Sequence, residues 1–113
     1  MQGLTVLELC RRIENAVNGN PTLTDVWVVG ETSDLSLKRH CYFELVQKDE
    51  RGNNVARIRA MIWANLMPVI FTAFRNGTGS ELASGMKVLM KCDVRYNAAF
   101  GISLNVKAID ASY

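Results

Sequence analysis

The sequence has no apolar run near the roughly 18 residues that a membrane-crossing helix needs, so no membrane association is expected. Its N-terminus, MQGLTVLELCRR, has no basic segment ahead of the apolar stretch, which argues against a secretory signal. Cysteine is scarce: Cys10, Cys41 and Cys92 are odd in number, far apart and without a CxxC pair. Neither a disulfide framework nor a zinc site is expected from them, and a reduced cytoplasmic compartment is the simplest fit. Histidine occurs once, at His40, and no serine or cysteine has a base at a useful spacing. The eleven acidic residues are scattered, with no DxD or ExD cluster to hold a nuclease's metal ions, so neither an active site nor a cofactor is expected. The glycines of RNGTGSE lack the lysine of a phosphate loop. Charge of one sign is also in short supply: a formal +2 does not announce nucleic-acid binding, which must be argued from where the charges sit.

What is present fits one domain. With 113 residues, 49% of them hydrophobic and 21% charged, the chain can bury a single core, and residues 1–113 read as one unit. Thr5 followed three residues later by Glu8 predicts a capping box, and Val6, Leu9, Cys10, Ile13 and Val17 recur at helical spacing as a core-facing seam that NGNP at 18–21 ends. In DVWVVGETSDLSL, Val26, Val28 and Thr32 share a face, and Gly30 inside the strand predicts a bulge or sharp bend. HCYFELVQ places Cys41, Phe43 and Leu45 on one face; the polar turn KDERGNN then leads into VARIRAMIW, so the two segments read as a hairpin. Proline starts PVIFTAFR, whose Val69, Ile70, Phe71, Ala73 and Phe74 predict a largely buried short helix closed by the glycines of NGTGS. MKVLMKCDVRY turns Val88, Met90, Cys92 and Val94 inward, and FGISLNVKAI supplies Ile102, Leu104, Val106 and Ala108. The total is five strands.

Three strands, a short helix and two more strands, behind an N-terminal helix, predict a mainly β, five-stranded Greek-key barrel of the OB-fold type, because in such barrels a helix between strands three and four plugs one end. A partly open sandwich and an SH3-like barrel are the other arrangements five strands allow. OB barrels bind oligonucleotides or oligosaccharides on the surface around strands two and three and on the loops joining strands one to two and four to five.

The third strand raises a pointed question there. A period of two puts Arg57, Arg59, Met61 and Trp63 on one face and Ile58, Ala60 and Ile62 on the other. Tyr42 of the neighbouring strand is in reach of that stripe. Lys38, Arg39 and His40 sit in the first loop, and Phe100 ends the second. Cations that hold phosphates beside aromatic planes that stack bases are the requirements of a single-strand binder. The competing reading is a solubilising surface, with Trp63 covering the sheet edge. Trp27, at a strand start, reads as packing against a helix, and Tyr96 is left undecided.

The segments VWVVGETSDL, HCYFELVQKD, ARIRAMIW and YNAAFGISLNVKAIDASY resemble, in that order, the N-terminal OB domain of the exodeoxyribonuclease VII large subunit family. Arg39, Thr32, Phe100 and Ala111 depart from that family's usual glycine, isoleucine, tyrosine and proline. The resemblance implies a fragment of a longer nuclease that degrades single-stranded DNA to oligonucleotides. Its catalytic region, and the segment that binds the small subunits, lie outside this chain, so the domain alone is expected to be non-catalytic. It also implies a DNA face made of Ser33, His40, Tyr42, Arg57, Arg59 and Trp63. Two other classes stay open: an RNA-binding domain of the anticodon type, and a protein-interaction module using an apolar patch of Met61, Trp63 and Leu89.

Overall fold

A computed structural model describes residues Met1–Tyr113. The elements run α1 (Val6–Val17), a short 3₁₀ turn (Pro21–Leu23), β1 (Val26–Leu37), β2 (Cys41–Lys48), β3 (Asn54–Ile62), α2 (Met67–Thr78), β4 (Lys87–Asn97) and β5 (Gly101–Ile109). The five strands close a barrel in the order β1-β2-β3-β5-β4, with β1 pairing back onto β4. Every pairing is antiparallel except that of β3 with β5. This is the OB-type architecture that the strand and helix order predicts, with closure removing the exposed sheet edges.

Alternation builds the core. Cys41, Phe43 and Leu45 of β2, Ala60 and Ile62 of β3, Val88, Met90 and Cys92 of β4, and Leu104 and Val106 of β5 all point inward and are buried. Each large side chain among them is worth about 1.5–3 kcal/mol of burial. Helix α2 closes one end of the barrel with Ile70 and Phe74. Burial pushes the thiols of Cys41 and Cys92 up to about 11 and about 12, which leaves both as inert small hydrophobes.

Several expectations need correction. The seam of α1 is not core-facing along its length: no residue of the helix is fully buried, and Val6 is 79% exposed. The capping box forms as predicted, with the Glu8 N–H donating to Thr5 Oγ1 and the Thr5 N–H to Glu8 Oε1. Docking, however, is only partial, with Cys10, Ile13 and Val17 half-buried and the firmest tie at the helix's far end. There the Asn18 side chain donates to the Tyr96 carbonyl (3.2 Å) and accepts from the Tyr96 N–H (2.8 Å), pairing with β4 as another strand would. Val69 and Ala73 of α2 face solvent, because the helix buries only a narrow stripe, and Ile102, on the same face as Leu104 and Val106, stays exposed because it lies beside the β4–β5 turn, past the core.

Gly30 marks a close approach and not the bulge. A Cβ there would meet the Leu45 side chain and the Val46 carbonyl at 3.3 Å. The irregularity in the β1–β2 register falls between Ser33 and Ser36, where Asp34 takes φ 53°, a conformation an aspartate tolerates better than most residues. Of the glycines in NGTGS, Gly79 ends α2 at φ 74°, whereas Gly77 lies within the helix, at a position where a side chain would collide with Ala111.

Candidate nucleic-acid interface

Pairing registers assemble the site from separate strands. On the outer face, Tyr42 of β2 stands opposite Met61 of β3, and Met61 opposite Asn105 of β5. One step along the strands, Glu44 is opposite Arg59, and Ser103 of β5 is opposite Arg95 of β4. Adjacent strands lie about 4.8 Å apart, so these rows form a continuous floor for an extended ligand.

A groove of about 580 Å³ runs over that floor. It is sized like sites that bury a small organic ligand, which span roughly 300–1,000 Å³, so it suits a nucleotide or two better than a folded partner. His40, Tyr42, Arg59, Met61, Trp63, Arg95, Tyr96, Phe100, Ser103 and Asn105 line it, along with Asn18, Ala60 and Asn97. Two guanidinium groups therefore face it and no carboxylate does. The modest net charge of the chain conceals this local excess.

Local chemistry positions each group. Trp63 follows the last residue of β3, and its carbonyl accepts from the N–H groups of Leu66 and Met67 as the chain turns into α2. The next N–H, of Ala64, donates to His40 Nδ1 at 2.9 Å. The imidazole stands edge-on to Trp63, with ring centroids 4.8 Å apart at 75°, and edge-on to Tyr42 at 6.1 Å and 80°. Trp63 and Tyr42 remain 43% and 42% exposed, which leaves ring surface free to take a base. At the opposite rim, Asn97 Oδ1 accepts from the N–H groups of Ala99 and Phe100 and shapes the three-residue turn that carries Phe100, itself 71% exposed. Arg59 reaches across to this turn: a Cβ at Gly101 would stand 3.5 Å from its Nη2. Tyr96 donates its hydroxyl to Cys10 Sγ at 3.2 Å, a bond that holds the phenol's proton and raises its pKa.

Of the nine residues expected on the DNA face, the structure brings His40, Tyr42, Arg59, Trp63 and Phe100 together around the groove. Lys38 and Arg39 are exposed in the loop that leads into His40. Ser33 and Arg57 do not line the groove: Ser33 lies across from Glu44, and Arg57 Nε is 4.0 Å from Glu44 Oε2. The two arginines of the stripe thus differ: Arg59 lines the groove and makes no ion pair although Glu44 is its cross-strand neighbour, whereas Arg57 lies outside the groove and pairs with that carboxylate. Trp27, half exposed opposite Lys91, lies elsewhere on the barrel. The suggested patch of Met61, Trp63 and Leu89 does not form, because Leu89 of β4 is opposite Val29 of β1, away from the groove.

The sequence pattern assigns no role to Arg95, Ser103, Asn105 or Asn18 and leaves Tyr96 undecided. The alternation of β4 and β5 turns the first three outward, but only the parallel β3–β5 pairing sets them beside Met61 and Arg59. Asn18 carries no such signal, being a helix-terminal residue. Elsewhere, His, Cys, Asp and Glu side chains nowhere gather in groups of three that could hold a metal ion. No helix is long and apolar enough to cross a membrane.

Comparison with known proteins agrees with this architecture. Residues 4–110 match the family described as OB-fold nucleic acid binding domain. The chain is 37% identical over 93 residues to the exodeoxyribonuclease 7 large subunit of Deinococcus radiodurans, covering 78% of this chain and 22% of that protein. It is 30% identical over 100 residues to the Halalkalibacterium halodurans protein of the same name, covering 87% and 19%. It is also 36% identical over 70 residues to that of Salinibacter ruber, covering 60% and 16%. The chain spans about a fifth of the length of the curated relatives it matches. Barrel closure, strand order and the match over nearly the whole chain agree: the chain belongs to the OB-fold nucleic acid binding domains, in the form that resembles exodeoxyribonuclease 7 large subunits.

Proposed function

We propose that this domain grips single-stranded DNA and presents it to a catalytic region located elsewhere in a longer exodeoxyribonuclease VII large subunit. The domain itself is non-catalytic on this reading. Its small-subunit contacts lie in other parts of the parent, and it works in the cytoplasm. One observation carries the proposal: Arg59 and Arg95 share a carboxylate-free groove with the rings of Tyr42, Trp63 and Phe100. Guanidinium groups neutralise phosphates, and exposed rings stack unpaired bases of any sequence, which is what a non-specific exonuclease requires of its substrate grip. Lys38 and Arg39 extend the cationic rim. In the parent, several copies acting on one strand raise the effective affinity of a weak single site.

Titration of fluorescently labelled oligodeoxynucleotides tests this. Single strands should bind with similar affinity whatever their sequence, duplex DNA should bind far more weakly, and Trp63→Ala should weaken single-strand binding without altering its salt dependence. Incubation with end-labelled DNA should release no product. Equal affinity for duplex and single strand would refute the single-strand preference, and an unaffected Trp63→Ala would remove the stacking plane from the binding surface.

An RNA-binding role is the second reading, favoured by Ser103 and Asn105, whose side chains have no hydrogen-bond partner in the protein and could meet base edges or 2′-hydroxyls. Tighter binding of oligoribonucleotides than of their DNA counterparts would favour it.

A further inference from the structure

The single histidine of the chain sits at the centre of the aromatic cluster, where its expected role was direct contact with the strand. The geometry points to a different one: His40 is a positioning residue whose Nδ1 latches the corner between β3 and α2 and so holds the Trp63 plane over the groove. This inference rests on the single-strand-binding reading for its consequence, but the latch itself is a property of the unbound protein.

Ala64 N–H is a backbone group and can only donate, so the ring atom 2.9 Å away must present a lone pair. That atom is Nδ1, and the imidazole is therefore the neutral tautomer with its proton on Nε2. A neutral ring is a poor phosphate clamp. Its placement suits a strut: it comes from the β1–β2 loop, ties to the backbone next to Trp63, and buttresses that indole edge-on at 4.8 Å. The corner needs such a tie. The carbonyl of Trp63 is engaged by Leu66 and Met67, but Ala64 N–H has no partner other than His40. Without the tie, the residue that carries the indole lies just past the end of β3, outside the ladder that fixes the rest of the strand. The loop carrying Lys38 and Arg39 is fastened by the same bond, so the cationic rim and the stacking plane share one anchor.

Two substitutions separate the roles of the two ring nitrogens. In His40→Asn the carboxamide oxygen can occupy the Nδ1 position and keep the bond to Ala64 while the Nε2–H is lost. In His40→Gln a donor remains near the Nε2 position while the Nδ1 acceptor is lost. Amide hydrogen exchange at Ala64, followed by NMR without DNA, reads the latch, and the Trp63 indole resonance reads the plane. Binding of oligodeoxythymidine reads the consequence. In the wild type and in His40→Asn, Ala64 should exchange slowly, and His40→Asn, which keeps the bond but lacks the ring that buttresses Trp63, should bind more weakly than wild type yet more tightly than His40→Gln. In His40→Gln, Ala64 exchange should accelerate, the indole resonance should shift, and binding should weaken about tenfold, within the range of a lost stacking contact. Thermal melting of each variant identifies any that fails to fold. The inference is overturned if Ala64 exchanges rapidly in the wild type, or if His40→Asn loses as much binding as His40→Gln, which would assign the effect to the rest of the ring and not to the Nδ1 bond. A wild type that protects Ala64 but binds no single strand would refute the proposed function while leaving the latch in place.

Discussion

The two arginines of β3 allow the sharpest test of the interface, because they are chemically identical, two residues apart and on the same face, yet differently placed. Arg59 lies over the groove against the β4–β5 turn, whereas Arg57 lies outside it beside Glu44. If Lys38, Arg39, Arg59 and Arg95 each neutralise one phosphate, log affinity should fall against log salt with a slope of about −2.8, from about 0.7 per phosphate on a single strand. Arg59→Ala should reduce that slope to about −2.1. It should also weaken binding about tenfold, the low end for a charge-assisted hydrogen bond because the site is solvated. Arg57→Ala should leave the slope at about −2.8 and change affinity by less than about twofold, since it removes only an exposed ion pair of small worth. Fluorescence anisotropy of labelled oligodeoxythymidine, measured between about 50 and 200 mM salt, gives both quantities. Equal effects of the two substitutions would refute the reasoning, since they would mean that the strand follows the whole β3 stripe and not the groove.

Two further outcomes concern the scaffold. Thr32 is fully buried, with its hydroxyl donating to the Ala83 carbonyl (2.6 Å) and accepting from the Met86 N–H (3.0 Å), so the isosteric Thr32→Val leaves two main-chain groups unpaired. A loss of about 2 kcal/mol is expected, or a fall of about 8 °C in Tm by calorimetry, with Thr32→Ser near wild type. Asp93 gives a pH signature: burial pushes its carboxyl up, but the Asp25 N–H, Lys107 and Arg95 outweigh this and hold it below its usual value of 3.8. A carboxylate that is more acidic when folded stabilises the protein above the unfolded value, and this contribution is lost as pH falls through 3.8 and past the lower folded value. Urea melts should therefore show the stability gap between wild type and Asp93→Asn closing as the pH is lowered through that window, and a gap independent of pH would refute the assignment.

The inward faces of β2, β3 and β4 were legible because a period of two distinguishes buried from exposed positions without any knowledge of partners. Legibility failed where burial depends on what lies opposite. The stripe of α1 has the pattern of a core helix, but it meets the barrel only in part, through Cys10 at the Tyr96 hydroxyl and through Asn18 at the Tyr96 backbone. Thr32 reads as an ordinary inward residue, and nothing local reveals that the turn at 83–86 depends on its hydroxyl.

The same division governs the site. Alternation alone determined that Arg57, Arg59, Met61 and Tyr42 face outward, since each strand carries that information in its own residues. Tertiary structure decided that Arg59 overlooks the groove while Arg57 does not, that Arg95, Ser103 and Asn105 complete the floor, and that His40 ties down the corner beside Trp63. The physical reason is that these relations depend on register between strands distant in the chain, and above all on the parallel pairing of β3 with β5, which no local pattern encodes.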